Sequence, residues 1–370
     1  MHRLASALAV SLLLVGVLEI APVAQTAVPK PPAPFPDAAA LTERRREAEN
    51  RALFRSAEPL AFTLTADFSA VDKDRDPRSV KTFPATISFP MADGTTASRS
   101  IRIRGRGHSR RGRTCDFTPL RLEFVKDEMR GTVFGGQNAI KLGTHCRVSD
   151  SFEQYVLREY TAYRIFNLLT PHSFRARLAR ARYVDAASQK LIGEHNGMFI
   201  EDSDDVAKRM EGRINEQRQF PFPRLDYNYL TLVAVFEYMI GNTDVAFAAQ
   251  HNVRVVETPA FRRYAVPYDF DYSGLVDAIY AVVDKKRVPE ITNVYQRRYI
   301  GPCRTVEELE PILAKMRAAR ADIYALYDRP AFTEKSRKDA RSYLDGFYKT
   351  IDRPAQIKRE LVDTCWKREP

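Results

Sequence analysis

Long apolar runs are scarce in this sequence. The one near its start, Leu4 to Leu18, covers 15 residues before Glu19 interrupts it, too few for a membrane-spanning helix. Arg3 precedes the run and small residues cluster around Pro22 to Ala27. That order reads as a secretory signal cleaved near Ala24 to Ala27. No cysteine sits beside the cleavage region, which argues against a lipoprotein anchor. Metal-type spacings are missing too. Neither CxxC nor HxxxH occurs, and His145 and Cys146 are adjacent, so a zinc site of the usual kind is excluded. The densest basic cluster, Arg99 to Arg113, has no interleaved aromatics. It does not read as a single-strand stacking platform, and no nucleic-acid partner is expected. Internal repeats are absent.

What is present begins with charge and bulk. The chain has 370 residues, 44% of them hydrophobic, and a formal net charge of +11. Removing residues 1–27 takes away Arg3 and Glu19, which cancel, so the balance stays at +11. Such a chain favours anionic partners, among them phosphorylated ligands and acidic surfaces. Its four cysteines, Cys115, Cys146, Cys303 and Cys365, suit two disulfides in an exported protein, periplasmic or extracellular. Chain order suggests Cys115–Cys146 and Cys303–Cys365, although three pairings are possible. After signal removal no membrane span is expected.

Four segments follow from the pattern: the signal at 1–27, then a proline-rich linker and charged helix at 28–58. A β-rich part with one long helix occupies 59–202, and a mainly helical part with one hairpin occupies 203–370. In the β-rich part AFTLTADF, KTFPATISF, SRSIRIRG, PLRLEF and NAIKLG read as strands, with Asp93-Gly94 at a hairpin turn. SDSFEQYVLREYTAYRIFNLL reads as a helix with an Asp150-x-x-Glu153 capping box and Pro171 beyond its end. RLARARYVD and EHNGMFIED read as two paired strands. LDYNYLTLVAVFEYMIG is apolar nearly all round, the mark of a buried helix. NVRVV and YAVPYDF form a hairpin, and helices are expected from Val306, Thr333 and Pro354.

The chemistry-bearing residues sit where these segments stop. Glu159 falls amid Phe152, Val156, Tyr160, Tyr163 and Phe166 on the apolar face of its helix. A carboxylate buried there needs a cation. Lys141, on the strand just upstream, is the expected partner, and a lysine held in this way can grip nucleotide phosphates. The buried helix ends in Gly241-Asn242-Thr243-Asp244, and Asn252 follows eight residues after Asp244. As a plain turn, GNTD would simply stop the helix. As a catalytic loop, Asp244 would take a proton from an attacking hydroxyl. Asn252 and Asp269 would hold a hard divalent cation, with Asp271 beside them.

"GNTD…HN" and "VPYDFD", with "PLRLEF" and "YVLREYTAYRIFNLL" in order, resemble the CotH kinase-like family of atypical kinases and, more distantly, the HipA-type kinases. The resemblance implies an α+β, two-lobed protein-kinase-like fold over residues 60–330, with a β-rich N-terminal lobe and a mainly helical C-terminal lobe. It implies that Asp244 is the catalytic aspartate and that Asn252, Asp269 and Asp271 bind Mg²⁺ or Mn²⁺. It further implies that Lys141 and Glu159 form the ion pair that positions ATP. Two departures stand out. The Asp244–Asn252 spacing exceeds the D-x-x-x-x-N of ordinary kinases, and RGRGHSRRG is not GxGxxG. Arg104, Arg106 and His108 would then hold phosphates by charge, or the stretch is simply an exposed basic hairpin. The expected activity is metal-dependent phosphoryl transfer from ATP to a protein or small-molecule hydroxyl, with an unknown protein or an envelope component as the acceptor. A catalytically silent member of the fold and an envelope- or surface-binding protein are the alternatives. A third, a haloacid-dehalogenase-like phosphatase, rests on YDFDYSG, where Ser273 replaces the Thr or Val of the DxDx[TV] motif.

Overall fold

The computed structural model describes residues 33–367 apart from His108 and Arg218. The expected signal peptide, the first part of the linker and His108 therefore lie outside the described residues. The chain divides into a short unit, Met1–Phe35, and a large one, Pro36–Pro370, which carries every element below.

Seven strands form a closed barrel: β1 (Leu60–Ala66), β2 (Phe83–Pro90), β3 (Thr96–Gly105), β4 (Leu120–Glu123), β5 (Ala139–Gly143), β6 (Ala176–Asp185) and β7 (Leu191–Ile200). Around the barrel they run β1-β2-β3-β4-β5-β7-β6. All neighbours are antiparallel except β6 and β1, whose parallel pairing closes the ring. Alternate residues of each strand point inward, so Leu64, Ile87, Ile103, Leu122, Ile140 and Phe199 fill one hydrophobic core. Asp93-Gly94 makes the β2–β3 turn, with Gly94 at φ +83°, where an L side chain would be strained.

Helices α1 (Ala38–Glu49) and α2 (Phe68–Lys73) flank the first barrel strand in sequence, and α3 (Asp150–Leu169) follows β5. Beyond the barrel come α4 (Ser203–Arg209), α5 (Tyr227–Ile240), α6 (Val306–Ala318), α7 (Arg320–Ala325), α8 (Glu334–Ile351) and α9 (Pro354–Ile357). A small antiparallel sheet of order β10-β9-β8 is built from β8 (Arg213–Ile214), β9 (Val253–Glu257) and β10 (Arg263–Pro267). A second core joins α3, α5, α6, α8 and the β9–β10 hairpin to side chains of β6 and β7 such as Leu178 and Met198. Nearly every residue of α5 is buried, as expected of a helix that is apolar nearly all round.

The chain is thus a mixed α and β protein, and the expected long strands and helices are found close to where the pattern puts them. Four short elements, α2, α4, α7 and β8, lie outside that pattern, because they are too short to carry a period. The capping box on α3 is not formed. Asp150 is itself the first helical residue, and the residue ahead of it, Ser149, makes no side-chain cap. Glu153 instead meets His195 Nδ1 at 2.8 Å and accepts from Asn196 Nδ2 at 2.7 Å, because β7 lies within its reach. Cys115–Cys146 and Cys303–Cys365 are the two disulfides. Among the described residues no helix is long and apolar enough to cross a membrane.

Candidate active site

Helix α5 stops at Gly241, whose φ of +65° makes it a left-handed C-cap. A Cβ there would fall 1.8 Å from Tyr343 Oη, so glycine is required twice over. The Asn242 side chain accepts the Asp244 N–H at 3.0 Å and turns the chain outward. Asp244 is then held from two sides. Asn252 Nδ2 donates to its carbonyl at 2.7 Å and to its Oδ2 at 2.9 Å, while His251 Nε2 lies 3.1 Å from Oδ1. The Asp244 hydrogen bond raises the His251 pKa.

Register explains why Asn252 and Asp269 meet. Pro267 pairs with Val253 across β9 and β10, and Tyr268 N–H donates to Asn252 O at 2.9 Å. Asn252 therefore sits opposite Tyr268, and Asp269 follows one residue later at the same end of the hairpin. Both Asn252 (φ +56°) and Asp269 (φ +66°) are left-handed, conformations that fixed surroundings must impose on non-glycine residues and that gather at functional sites. Asp269 N–H donates to Tyr163 Oη at 2.9 Å, tying the hairpin to α3. Asp244, Asn252, Asp269 and Asp271 line one cleft of about 250 Å³ together with Arg106, Arg110 and His251.

A larger cavity, about 490 Å³, holds Lys141, Arg121 and Arg254 opposite Asp202 and Asp204. Lys141 is partly buried on the cavity wall, and among the described residues no carboxylate pairs with it. Its ammonium lies 4.7 Å from the Tyr268 ring centre and 5.7 Å from that of Phe174, and Arg254 lies 5.1 Å from the same Tyr268 ring. Burial, then Arg106 and Arg254, push the Lys141 pKa down to about 7. Arg106 Nη1 is buried without a hydrogen-bond partner among the described residues. Burial works against ionised Asp269, but Arg110, Arg106 and Lys141 together hold its carboxyl below the usual range. Asp269 therefore feels cations from both cavities.

Three expectations need correction. Glu159 does not meet Lys141. Its partner is Arg110, with Nη1 3.5 Å from Oε2, because the chain after β3 folds back over α3 and delivers a guanidinium first. Burial raises the Glu159 pKa, and its Oε1 has no partner among the described residues. Arg104 lines neither cavity, since Glu123 on the neighbouring strand takes it at 3.0 Å. The metal set does not fit as arranged. Arg110 Nη2 lies 2.9 Å from Asp269 Oδ1 and Arg110 Nε 3.3 Å from Asp271 Oδ2, so a guanidinium already holds both carboxylates. Among the described residues no group of three or more His, Cys, Asp and Glu side chains is placed to hold a metal ion.

Arg110, Arg254 and Tyr268 belong to the site although the sequence pattern assigns them no role. Arg254 has a signal, because it stands two residues after Asn252 and so shares a face with it. Arg110 has none; its partners are 49, 159 and 161 residues away.

No family model matches this sequence, and no curated protein matches it. One solved structure that is similar in part is a Helicobacter pylori proinflammatory kinase, CtkA, at 10% identity and a TM-score of 0.33. The match covers 75% of this chain and 88% of that one. A likeness at that level decides neither fold family nor activity.

Proposed function

We propose that this chain is an exported, kinase-like phosphotransfer protein of the CotH type, binding the phosphates of ATP and passing one to a hydroxyl of an envelope protein or a small molecule. The observation that carries the reading is charge without compensation. Lys141, Arg254 and Arg106 gather around Tyr268 and Asp269 with no carboxylate of their own among the described residues. Partly buried cations crowded together in this way favour an anionic ligand. A triphosphate supplies it, and the adjoining cleft offers Asp244 to accept the proton of the attacking hydroxyl. In this reading the barrel and the helical part are the two lobes, and Asp202 and Asp204 face the nucleoside. His251 and Asn252 orient the Asp244 carboxylate. Two disulfides accord with export.

The phosphatase reading loses ground. Its aspartate pair belongs at the end of a strand in an α/β domain, whereas β10 is the edge of a three-stranded antiparallel sheet. Calorimetry of the purified protein with ATP tests the proposal, followed by mass spectrometry for phosphate on the protein itself and on envelope extracts. Binding without transfer would leave the silent member of the fold, and no binding at all would leave the surface-binding protein.

A further inference from the structure

The segment between β3 and β4 places one arginine where the sequence leads one to expect a metal ion. Arg110 is 6% exposed. Its three nitrogens face three carboxylates from two parts of the fold: Glu159 of α3 at 3.5 Å, Asp269 at 2.9 Å and Asp271 at 3.3 Å. A divalent cation bridging Asp269 and Asp271 would share that space with a guanidinium, and like charges at that range repel strongly.

Nor is the arginine on a loose tip. Arg111, 1% exposed, donates to Asp74 Oδ2 at 2.6 Å, Asp74 O at 3.0 Å and Ser79 O at 2.9 Å. Arg75 holds the next turn through Gly112 O at 3.0 Å and Cys115 O at 2.7 Å. The Cys115–Cys146 bond then ties the segment to the chain entering α3. Contacts immediately after Arg110 in the chain hold the backbone that presents its guanidinium.

We infer that Arg110 is a resident cation standing in for a divalent metal at the Asp269–Asp271 pair, so that this site binds nucleotide phosphates through protein cations alone. The second half rests on the proposed nucleotide site; the first half does not. Metal alone tests the first half. In about 1 mM MnCl₂ without nucleotide the parent protein should keep its melting temperature within about 1 °C, since nothing binds the native state. Arg110→Gln should gain a saturable, EDTA-reversible rise of several degrees, and Arg110→Lys should stay insensitive, because it keeps the charge. A saturable rise in the parent overturns the inference, and so does a folded Arg110→Gln with no gain.

Should Arg110→Gln fail to fold, the parent still decides. A non-hydrolysable ATP analogue should bind with affinities in EDTA and in Mn²⁺ that agree within about threefold, and a loss of about tenfold or more in EDTA overturns the inference. If the analogue binds in neither, the nucleotide reading fails, while the Mn²⁺ titration of the parent still decides whether Arg110 excludes a metal.

Discussion

Arg110, which is buried, and Lys141, which is partly exposed, are both cations that act on Asp269, and their surroundings are opposite. Arg110 is surrounded by carboxylates and held by its neighbours in the chain. Lys141 has two aromatic faces, two neighbouring arginines and, among the described residues, no paired carboxylate. A buried charge that is matched contributes to a specific structure, whereas one that is unmatched costs stability until something binds. In the proposed reading the contrast separates the part of the site that is architecture from the part that takes the ligand.

The largest effect should come from breaking the matched side. Arg110→Ala leaves the buried Glu159 and Asp271 and the partly exposed Asp269 without this cation and should cost about 3–5 kcal/mol in urea unfolding. Lys141→Met should cost the ligand-free protein nothing, or stabilise it. Pairwise tests sharpen this further. Arg110 and Glu159 should show a coupling of about 0.5 kcal/mol or more in a double-mutant cycle, and Lys141 and Glu159 should be additive. A coupled lysine and an indifferent arginine would reverse the comparison.

Next comes catalysis. Asp244 has a partly open carboxylate, oriented by Asn252 and His251 rather than buried. Asp244→Asn should reduce phosphoryl transfer by roughly 10²-fold or more, the usual scale for a general base, and leave nucleotide affinity within a few fold. If the variant unfolds instead, the loop is a structural turn.

A smaller effect belongs to the unmatched side. Lys141→Met should weaken nucleotide binding by about tenfold, or 1.4 kcal/mol. Its pH signature has a definite sign. The folded-state value near 7 lies below the ordinary lysine value of 10.5, so the unfolded chain binds more protons between the two. Ligand-free stability from this group is then present at high pH and lost as pH falls toward 7. The difference in unfolding free energy between parent and Lys141→Met, measured from pH 7 to 10, should shrink as pH rises.

Much of this is legible in the amino-acid order. Strand and helix periods place the barrel strands, α3 and α5, and the hairpin pattern puts Asn252 and Asp269 at one end. Those are local signals. The need of Glu159 for a cation is legible as well, because its position on the apolar face of α3 follows from helical spacing. Which cation is not. Lys141 is near in sequence, but barrel closure turns it toward Tyr268 and the fold-back after β3 brings Arg110 instead. Partner choice between distant segments is decided by tertiary packing, which no local period encodes. The same holds for Glu153, whose sequence context suits a cap while β7 supplies better donors.

A last test concerns a third kind of buried ionisable group, one with no cation among the described residues. Glu237 lies on α5 one turn before Gly241, 1% exposed, and neither of its oxygens has a hydrogen-bond partner within ordinary geometry. Burial pushes its pKa up to about 8 from the ordinary value of 4.5, against a smaller opposing pull from the Asn242 side chain, so the folded protein keeps it as a neutral acid. Between those values the folded state binds more protons than the unfolded chain. Stability from this group is therefore complete below 4.5 and is lost as pH rises through about 8, with a slope of at most about 1.4 kcal/mol per pH unit. Glu237→Gln keeps the shape and cannot ionise. It should match the parent at pH 4.5 and exceed it at pH 8 in urea unfolding, with the gap opening steadily between. A gap that stays constant would mean that Glu237 is ionised in the folded protein, and then even this carboxylate has found a cation.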